Sequence, residues 1–292
     1  MILRADLIEE GKKIWQYNPH IGLILSGYDL TKENVYLFAR LIRHYKLKTI
    51  HAYPSLFYRF SKLLEDAGGD TKGLFDFIWL SSEMLHPNQR TYLEKCYGKN
   101  IYIHYGQSEQ VVYASPCKGS NNYHIYPQYG FTEILDEDDK EVAQNEAGQI
   151  IGTSFLNWVT PLIRYKTGDI AIKGNSFCKF CNRAYLTMKE IQGREQDFIV
   201  DKENTKITVV ALNMHDDIFD DLLEFQFEQK EAGIIIFNYI PRKGTLNKAE
   251  ADELVKRLKD KLRNFDILLN QVERFDFTVS GKKKMTIQHL SL

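Results

Sequence analysis

Strand-like and helix-like segments alternate over the first hundred residues of this chain, and few folds accept that pattern. Val35, Phe38 and Ile42 recur at helical spacing, whereas Ile78 and Leu80 lie in a short, continuous apolar run. Parallel strands need long crossovers, so the alternation predicts a parallel sheet with helices on both faces. The predicted order is helix 32–45, strand 49–53, helix 54–64, strand 77–80, helix 87–97 and strand 101–103.

The pattern changes after residue 130. Residues 130–172 contain short extended runs on either side of an acidic turn at 136–139. Short runs with turn residues between them predict a β-rich subdomain. We interpret the acidic turn as a solvated hairpin tip rather than as a metal site.

A further change follows Gly193, where strand-like runs accompany a long helical pattern. About one hundred residues of this kind predict a compact, separate α+β domain. The fold class is therefore α/β: a partial doubly wound domain with a β-rich subdomain at 1–194, followed by a small α+β lid domain at 195–292. The segments that carry this last prediction are strands 207–212 and 234–240, helix 248–263 and an extended run at 272–279.

Charge and hydropathy exclude several classes of protein. The 292 residues include 38 basic and 39 acidic side chains, for a net charge of -1, which does not suit a nucleic-acid-binding protein. No apolar run approaches the length of a membrane span. The first residues carry an early acid, Asp6, and no signal-peptide core, so we expect a cytoplasmic protein. None of these features excludes a homodimer.

Open parallel sheets bind ligands beyond the carboxyl ends of their strands, so the segments after Leu80 and Ile103 are candidates for chemistry. Residues 105–109 read Tyr-Gly-Gln-Ser-Glu. Three more strings follow along the chain: Ile-Arg-Tyr-Lys-Thr-Gly-Asp at 163–169, Ile-Gln-Gly-Arg at 191–194 and Ser-Gly-Lys at 280–282. Taken alone, the first string is usually a turn, and the lysine-rich segment that contains the last is usually a solvated basic end.

In this order, the four strings resemble the adenylate-forming superfamily of acyl-CoA synthetases, luciferases and peptide-synthetase adenylation domains. Within the superfamily, the chain resembles the phenylacetate–coenzyme A ligase-like proteins, particularly the branch linked to capsular polysaccharide synthesis. Three further segments support that branch: Tyr-Pro-Ser-Leu at 53–56, Ser-Ser-Glu at 81–83 and Tyr-His-Ile at 123–125. The resemblance implies an adenylation domain, a carboxylate substrate, ATP or AMP as nucleotide, Mg²⁺, and coenzyme A or a carrier thiol as acceptor.

The resemblance also implies roles for individual residues. Attack of a carboxylate on ATP joins two anions, so the site must neutralise charge and hold the reactants in line. Nucleotide contacts would come from Tyr105 with Gly106, which meet adenine, from Asp169, which accepts both ribose hydroxyls, and from Ser82, Glu83 and Arg194. Catalytic roles would fall to Glu109, which binds Mg²⁺, Ser108, which contacts the α-phosphate, and Lys282, which contacts the carboxylate. Gln196 would be the hinge. We interpret Lys283 and Lys284 as surface charge.

Four further residues have the chemistry of a zinc site. Cys178 and Cys181 form a Cys-x-x-Cys pair, and Cys117 precedes His124 by seven positions. Three thiolates and one imidazole make a tetrahedral structural set for Zn²⁺, and similar clusters occur in relatives. The alternative is that Cys117 is a small buried residue, His124 is a polar core histidine, and Cys178 and Cys181 belong to a turn that binds no metal. Cys96 is interpreted as a core residue.

One expected feature does not occur in the chain. Family members carry a Ser/Thr/Gly-rich loop that wraps the β- and γ-phosphates, and nothing before Tyr53 resembles it. We therefore expect a fragment or a truncated product that turns over poorly by itself. The competing hypothesis is a non-catalytic remnant that binds nucleotide weakly or acts as a partner protein in polysaccharide synthesis.

Overall fold

The computed structural model describes residues 1–4, 13–98, 100–194, 198–208, 219–276 and 283–290. The chain forms two compact units. The first unit consists of residues 1–78, 85–101 and 197–292, and the second of residues 79–84 and 102–196. The predicted division into domains 1–194 and 195–292 stays a prediction.

The front of the first unit has the predicted α/β character. Its sheet order is β2-β3-β1-β4-β5, with β1 parallel to both β3 and β4. Helices α2 and α3 begin at Pro54 and Pro87, the first helical position, where proline costs no hydrogen bond. The elements are β1 (Ile2–Arg4), β2 (Trp15–Asn18), β3 (Gly22–Ser26), α1 (Val35–His44), β4 (Thr49–Ala52), α2 (Pro54–Asp66), β5 (Phe77–Ser81) and α3 (Pro87–Tyr97).

The second unit is the predicted β-rich part, and its sheet order is β6-β7-β8-β12-β11-β10-β9. Its core contains Val111, Val112, Ile134 and Ile150, all of which are buried. The acidic turn after β9 is exposed, and Asp136 Oδ1 accepts hydrogen bonds from backbone N–H groups inside that turn. The strands are β6 (Ile101–Gly106), β7 (Tyr113–Cys117), β8 (Ser120–Ile125), β9 (Gly130–Leu135), β10 (Ala147–Ser154), β11 (Tyr165–Lys173) and β12 (Thr187–Arg194).

The first unit also contains a C-terminal sheet, strands β15 to β18, in the order β17-β16-β15-β18. Phe225, Phe227 and Phe237 build its core together with Leu254 and Leu258 of α4. The prediction of an extended run at 272–279 is wrong for residues 272–276, because the strand in this part of the chain ends at Gln271. Residues 277–279 lie outside the described residues. The elements are β13 (Phe198–Val200), β14 (Lys206–Thr208), β15 (Leu222–Glu231), β16 (Ile234–Pro241), α4 (Lys248–Lys261), β17 (Asp266–Gln271) and β18 (Thr286–Gln288).

Candidate functional site

The predicted nucleotide residues that the structure describes all lie in the second unit. Strand β6 ends with Tyr105 and Gly106, and the turn that follows carries Ser108 and Glu109. Asp169 lies on β11 and is paired in register with Arg194, the last residue of β12. Strand pairing therefore brings together two motifs that are 25 positions apart in the chain.

A bulge in β11 sets the position of Asp169. Between two pairs with β10, Ile151 with Lys166 and Gln149 with Ile170, β11 advances four residues and β10 only two. Gly168 lies in this bulge with a φ of 76°, a value that glycine adopts without steric cost. Glycine at position 168 therefore allows the bulge directly before Asp169.

Tyr105 and Arg194 both contact Asp169. The Tyr105 hydroxyl donates to Asp169 Oδ2 at 2.7 Å, and Arg194 Nε lies 3.8 Å from Asp169 Oδ1. Burial, followed by the charge of Asp169, raises the pKa of Tyr105 far above its ordinary value. The tyrosine therefore remains a protonated donor, and it fixes one side of a carboxylate that is mostly shielded from solvent.

Glu109 is held by Tyr165, a residue that the sequence analysis did not assign. The Tyr165 hydroxyl donates to Glu109 Oε1 at 3.1 Å. This hydrogen bond to Glu109 is the main cause that raises the pKa of Tyr165, and the carboxylate of Asp169 also contributes. The hydroxyl of Tyr165 is therefore hydrogen-bonded to one of the two carboxylates, Glu109, and close enough to the other, Asp169, to feel its charge. The only signal in the sequence was the position of Tyr165 within the same motif as Asp169.

Ser82 and Glu83 follow β5 in the same unit. Ser82 is exposed and has a φ of 71°, which is uncommon for a residue other than glycine. Trp79 on β5 contacts the ring of His104 on β6, with 5.3 Å between ring centroids. This ring contact places the end of β5 beside β6. Lys282 and Gln196 lie outside the described residues, so their roles stay predictions.

Cys117, His124, Cys178 and Cys181 meet in one cluster, with their ligand atoms all within 4.8 Å of one another. Cys117 Sγ lies 3.8 Å from Cys178 Sγ, and Cys181 Sγ lies 3.6 Å from His124 Nε2. A tetrahedral zinc ion with Zn–S of about 2.3 Å and Zn–N of about 2.0–2.1 Å requires about 3.8 Å between two sulfurs and about 3.5 Å between sulfur and nitrogen. These two distances and the donor set therefore fit zinc.

The electrostatics of the cluster favour metal-binding thiolates. Burial opposes ionisation of Cys178, but hydrogen bonds, chiefly from the backbone N–H of Cys181 and from His124, lower its pKa to about 6. Burial raises the pKa of the Cys117 thiol, so a metal would have to displace that proton. The fourth cysteine, Cys96, lies on α3 and is half-buried.

Comparisons with known proteins agree with this architecture. No family model matches the chain. The chain has a TM-score of 0.71 to the crystal structure of 2-hydroxyisobutyryl-CoA ligase in the postadenylation state, at 17% identity, over 87% of this chain and 57% of that one. The predicted fold class is therefore confirmed. The described part of the chain has no helix that is both long and apolar enough to cross a membrane.

Two curated proteins are similar to the chain in sequence. The chain is 25% identical to Protein CapK of Staphylococcus aureus over 97% of its own length and 62% of that protein. A segment of 78 residues is 30% identical to phenylacetate-coenzyme A ligase of Thermus thermophilus, over 26% of this chain and 17% of that enzyme. The chain thus spans about three fifths of the length of CapK. Both matches support the predicted resemblance to the adenylate-forming superfamily, in the branch of phenylacetate–coenzyme A ligase-like proteins.

Proposed function

We propose that this chain carries the nucleotide site of an enzyme that activates a carboxylate with ATP and forms an acyl-adenylate. The observation that supports this most is the hydrogen bond from Tyr165 to Glu109, close to the charge of Asp169, with Tyr105 and Arg194 in contact with that aspartate. Two carboxylates, a guanidinium and an aromatic ring offer the groups that ribose, phosphate, magnesium and adenine require.

Asp169 would accept the two ribose hydroxyls, because an ionised carboxylate has two acceptor oxygens. The hydroxyl of Tyr105 holds one of these oxygens, Oδ2, so the carboxylate is oriented before the nucleotide arrives. The ring of Tyr105, with Gly106, Ser82 and Glu83, would line the adenine pocket. Arg194 would approach ribose or phosphate.

Glu109 and Ser108 would act on the phosphates. The contact with Tyr165 uses Oε1 of Glu109, and we assign the other oxygen, Oε2, to Mg²⁺, which prefers carboxylate and phosphate oxygens. Bound there, magnesium would neutralise negative charge on the phosphates. Ser108 is exposed on the same turn and would donate a hydrogen bond to the α-phosphate. Lys282 would add its ammonium to the carboxylate substrate, with Gln196 as the hinge for that movement.

The second step of the proposed reaction is transfer of the acyl group to a thiol, either coenzyme A or a carrier. The solved relative at TM-score 0.71 is itself a CoA ligase in complex with an acyl-AMP. The Cys117–His124–Cys178–Cys181 cluster would hold a structural zinc ion, since its four protein ligands close the coordination sphere. A role in capsular polysaccharide synthesis is supported only by the likeness to CapK.

Binding of acyl-sulfamoyl adenosines, which mimic acyl-adenylates, tests the proposal. A panel with aliphatic and aromatic acyl groups is titrated against the chain by calorimetry. We expect at least one member to bind tighter than AMP, because an enzyme holds its reactive intermediate tightly. Asp169→Ala should weaken every member of the panel. An absence of binding throughout, or binding that Asp169→Ala leaves unchanged, would contradict the proposal.

A further inference from the structure

The two segments that carry the zinc-type ligands also form a small pocket with two exposed aromatic rings. A cavity of about 140 Å³ opens beside the ligand cluster. Phe177 and Phe180 line this cavity, and they are 49% and 73% exposed. Residues 117–124 and 174–189 contribute the whole lining, and we call them the knuckle surface. The lining also includes Ser120, Asn122, Asn175, Lys179 and Thr187.

The backbone that carries these rings is held in place. Phe180 lies within the Cys-x-x-Cys pair and packs on Gly119, where an added Cβ would lie 2.7 Å from Phe180 Cβ. The backbone N–H of Cys178 donates to the oxygen of Arg183 at 3.0 Å, and the N–H of Asn182 donates to the oxygen of Cys178 at 2.9 Å. Groups that are held before binding lose little conformational entropy when a partner arrives.

The knuckle surface carries positive charge only. It contains no aspartate or glutamate, and its four basic residues are all exposed. The chain as a whole has a net charge of -1, so this excess of cations is local. Complementary charge steers a partner and fixes its orientation, so an acidic partner suits this surface. The basic residues are Lys118, Lys179, Arg183 and Lys189.

The volume of the pocket limits what it can receive. An apolar cavity of about 150 Å³ binds one benzene molecule, so a pocket of this size accepts a single ring. The side-chain amides of Asn122 and Asn175 in its wall can pair with the indole N–H or phenol hydroxyl of such a ring. Single-stranded nucleic acid stacks successive bases along a groove, and one ring-sized pocket does not offer that track.

We propose that the knuckle surface binds an acidic segment of a partner protein, with one aromatic side chain of that segment seated in the pocket lined by Phe177 and Phe180. Acidic side chains on either side of this anchor would lie against Lys118 and Lys179. Interfaces concentrate their binding energy in such aromatic anchors, and charged groups around them set specificity. No residue of the knuckle surface is assigned to the nucleotide or to magnesium, so the inference does not depend on carboxylate activation.

Selection from a random peptide library displayed on phage tests the proposal without assuming the sequence of the partner. The full chain is the bait, and the Phe180→Ala and Lys179→Glu variants remove peptides that bind elsewhere. Enriched peptides should share one tryptophan, tyrosine or phenylalanine flanked by aspartate and glutamate. An absence of enrichment, or enriched peptides that lack either the aromatic or the acidic residues, would overturn the proposal.

Affinities of the most enriched peptide then locate the site. Phe180→Ala should weaken binding by about tenfold or more, as truncation beside an anchor pocket does, and Lys179→Glu should weaken it several-fold, most strongly at low salt. Neither change removes a zinc-type ligand, so zinc content and melting temperature should match those of the wild-type chain. Wild-type affinity in Phe180→Ala would overturn the proposal.

Three control variants should bind the peptide as the wild-type chain does. Trp158→Ala removes an 86% exposed ring from another loop, and Lys72→Glu makes the same change in net charge as Lys179→Glu. Asp169→Ala removes the acid assigned to ribose, so a failure of the nucleotide site would leave peptide binding intact. Equal losses in the controls, or displacement of the peptide by oligothymidylate at a lower concentration than by unlabelled peptide, would overturn the inference.

Discussion

Replacement of Lys62 by methionine should remove a pH dependence of stability that the wild-type chain shows between pH 8 and 10. The Lys62 side chain is fully buried on α2, and its ammonium donates to two backbone oxygens and lies 4.7 Å from the ring centroid of Tyr58. Burial, with a smaller contribution from Arg242, lowers the pKa of Lys62 from 10.5 to about 8.

The direction of the effect follows from proton binding. Between pH 8 and 10.5 the unfolded chain keeps the proton of Lys62 and the folded chain loses it, so the free energy of unfolding rises with pH. A pKa difference of about 2.5 corresponds to roughly 3 kcal/mol over the whole window, of which about 2 kcal/mol should appear by pH 10. Below pH 8 Lys62 is protonated in both the folded and the unfolded chain, so the folded chain bears the full cost of burying its ammonium.

Urea denaturation at pH 7, 8, 9 and 10 measures this difference. Methionine has a similar length and no ionisable group, so the wild-type transition should move towards higher urea relative to Lys62→Met as the pH rises. Other titrating groups, including Tyr58, whose pKa burial raises, are common to both proteins and cancel in the comparison. Parallel curves for the two proteins at all four pH values would refute the reasoning.

Three further outcomes follow from the second unit. Cys178→Ala should reduce zinc from about one ion per chain to a small fraction by atomic absorption and lower the melting temperature, whereas Cys96→Ala should keep the metal; full zinc in Cys178→Ala would exclude this ligand set. Gly152→Ala places a Cβ 2.8 Å from Val111 Cβ in the core and should cost about 1–3 kcal/mol in denaturant unfolding, an estimate that unchanged stability would contradict. Tyr165→Phe should weaken Mn²⁺ binding to the nucleotide complex several-fold by electron paramagnetic resonance, since Glu109 loses the hydroxyl that orients it, and wild-type affinity would count against that role.

Local signals predicted several of the regular elements. The helix start at Pro54, the strand that begins at Phe77 and the helix at 87–97 all depend on periodicity and on proline at a first turn, which a sequence displays directly. Strand β15 was missed, although Phe225 and Phe227 alternate with Glu224 and Gln226, a spacing typical of a strand with one solvated face. That face is buried instead, against α2 and Lys283.

Contacts between distant parts of the chain account for the other differences. The prediction that Lys283 is surface charge is wrong, because its side chain is only 7% exposed and its ammonium lies 3.3 Å from Glu224 Oε2. The sequence did not indicate this, since Glu224 lies 59 positions earlier and its other partner, Arg59, lies on α2. Tyr165 could not be assigned because its partner, Glu109, follows a different strand. By contrast, the four zinc-type ligands were grouped correctly, since cysteine and histidine chemistry limits the choices even when the spacing does not.

The central claim is that the Asp169 carboxylate accepts hydrogen bonds from the ribose hydroxyls of a nucleotide. A comparison of two ligands and two proteins tests this claim most directly. Calorimetry would measure AMP and 2′,3′-dideoxy-AMP against wild-type chain and Asp169→Ala. Hydrogen bonds to a carboxylate are worth about 1.5–3 kcal/mol, so the wild-type chain should prefer AMP by about tenfold or more, and Asp169→Ala should bind both ligands equally. Equal affinities in the wild-type chain, or a preference that survives Asp169→Ala, would contradict the account.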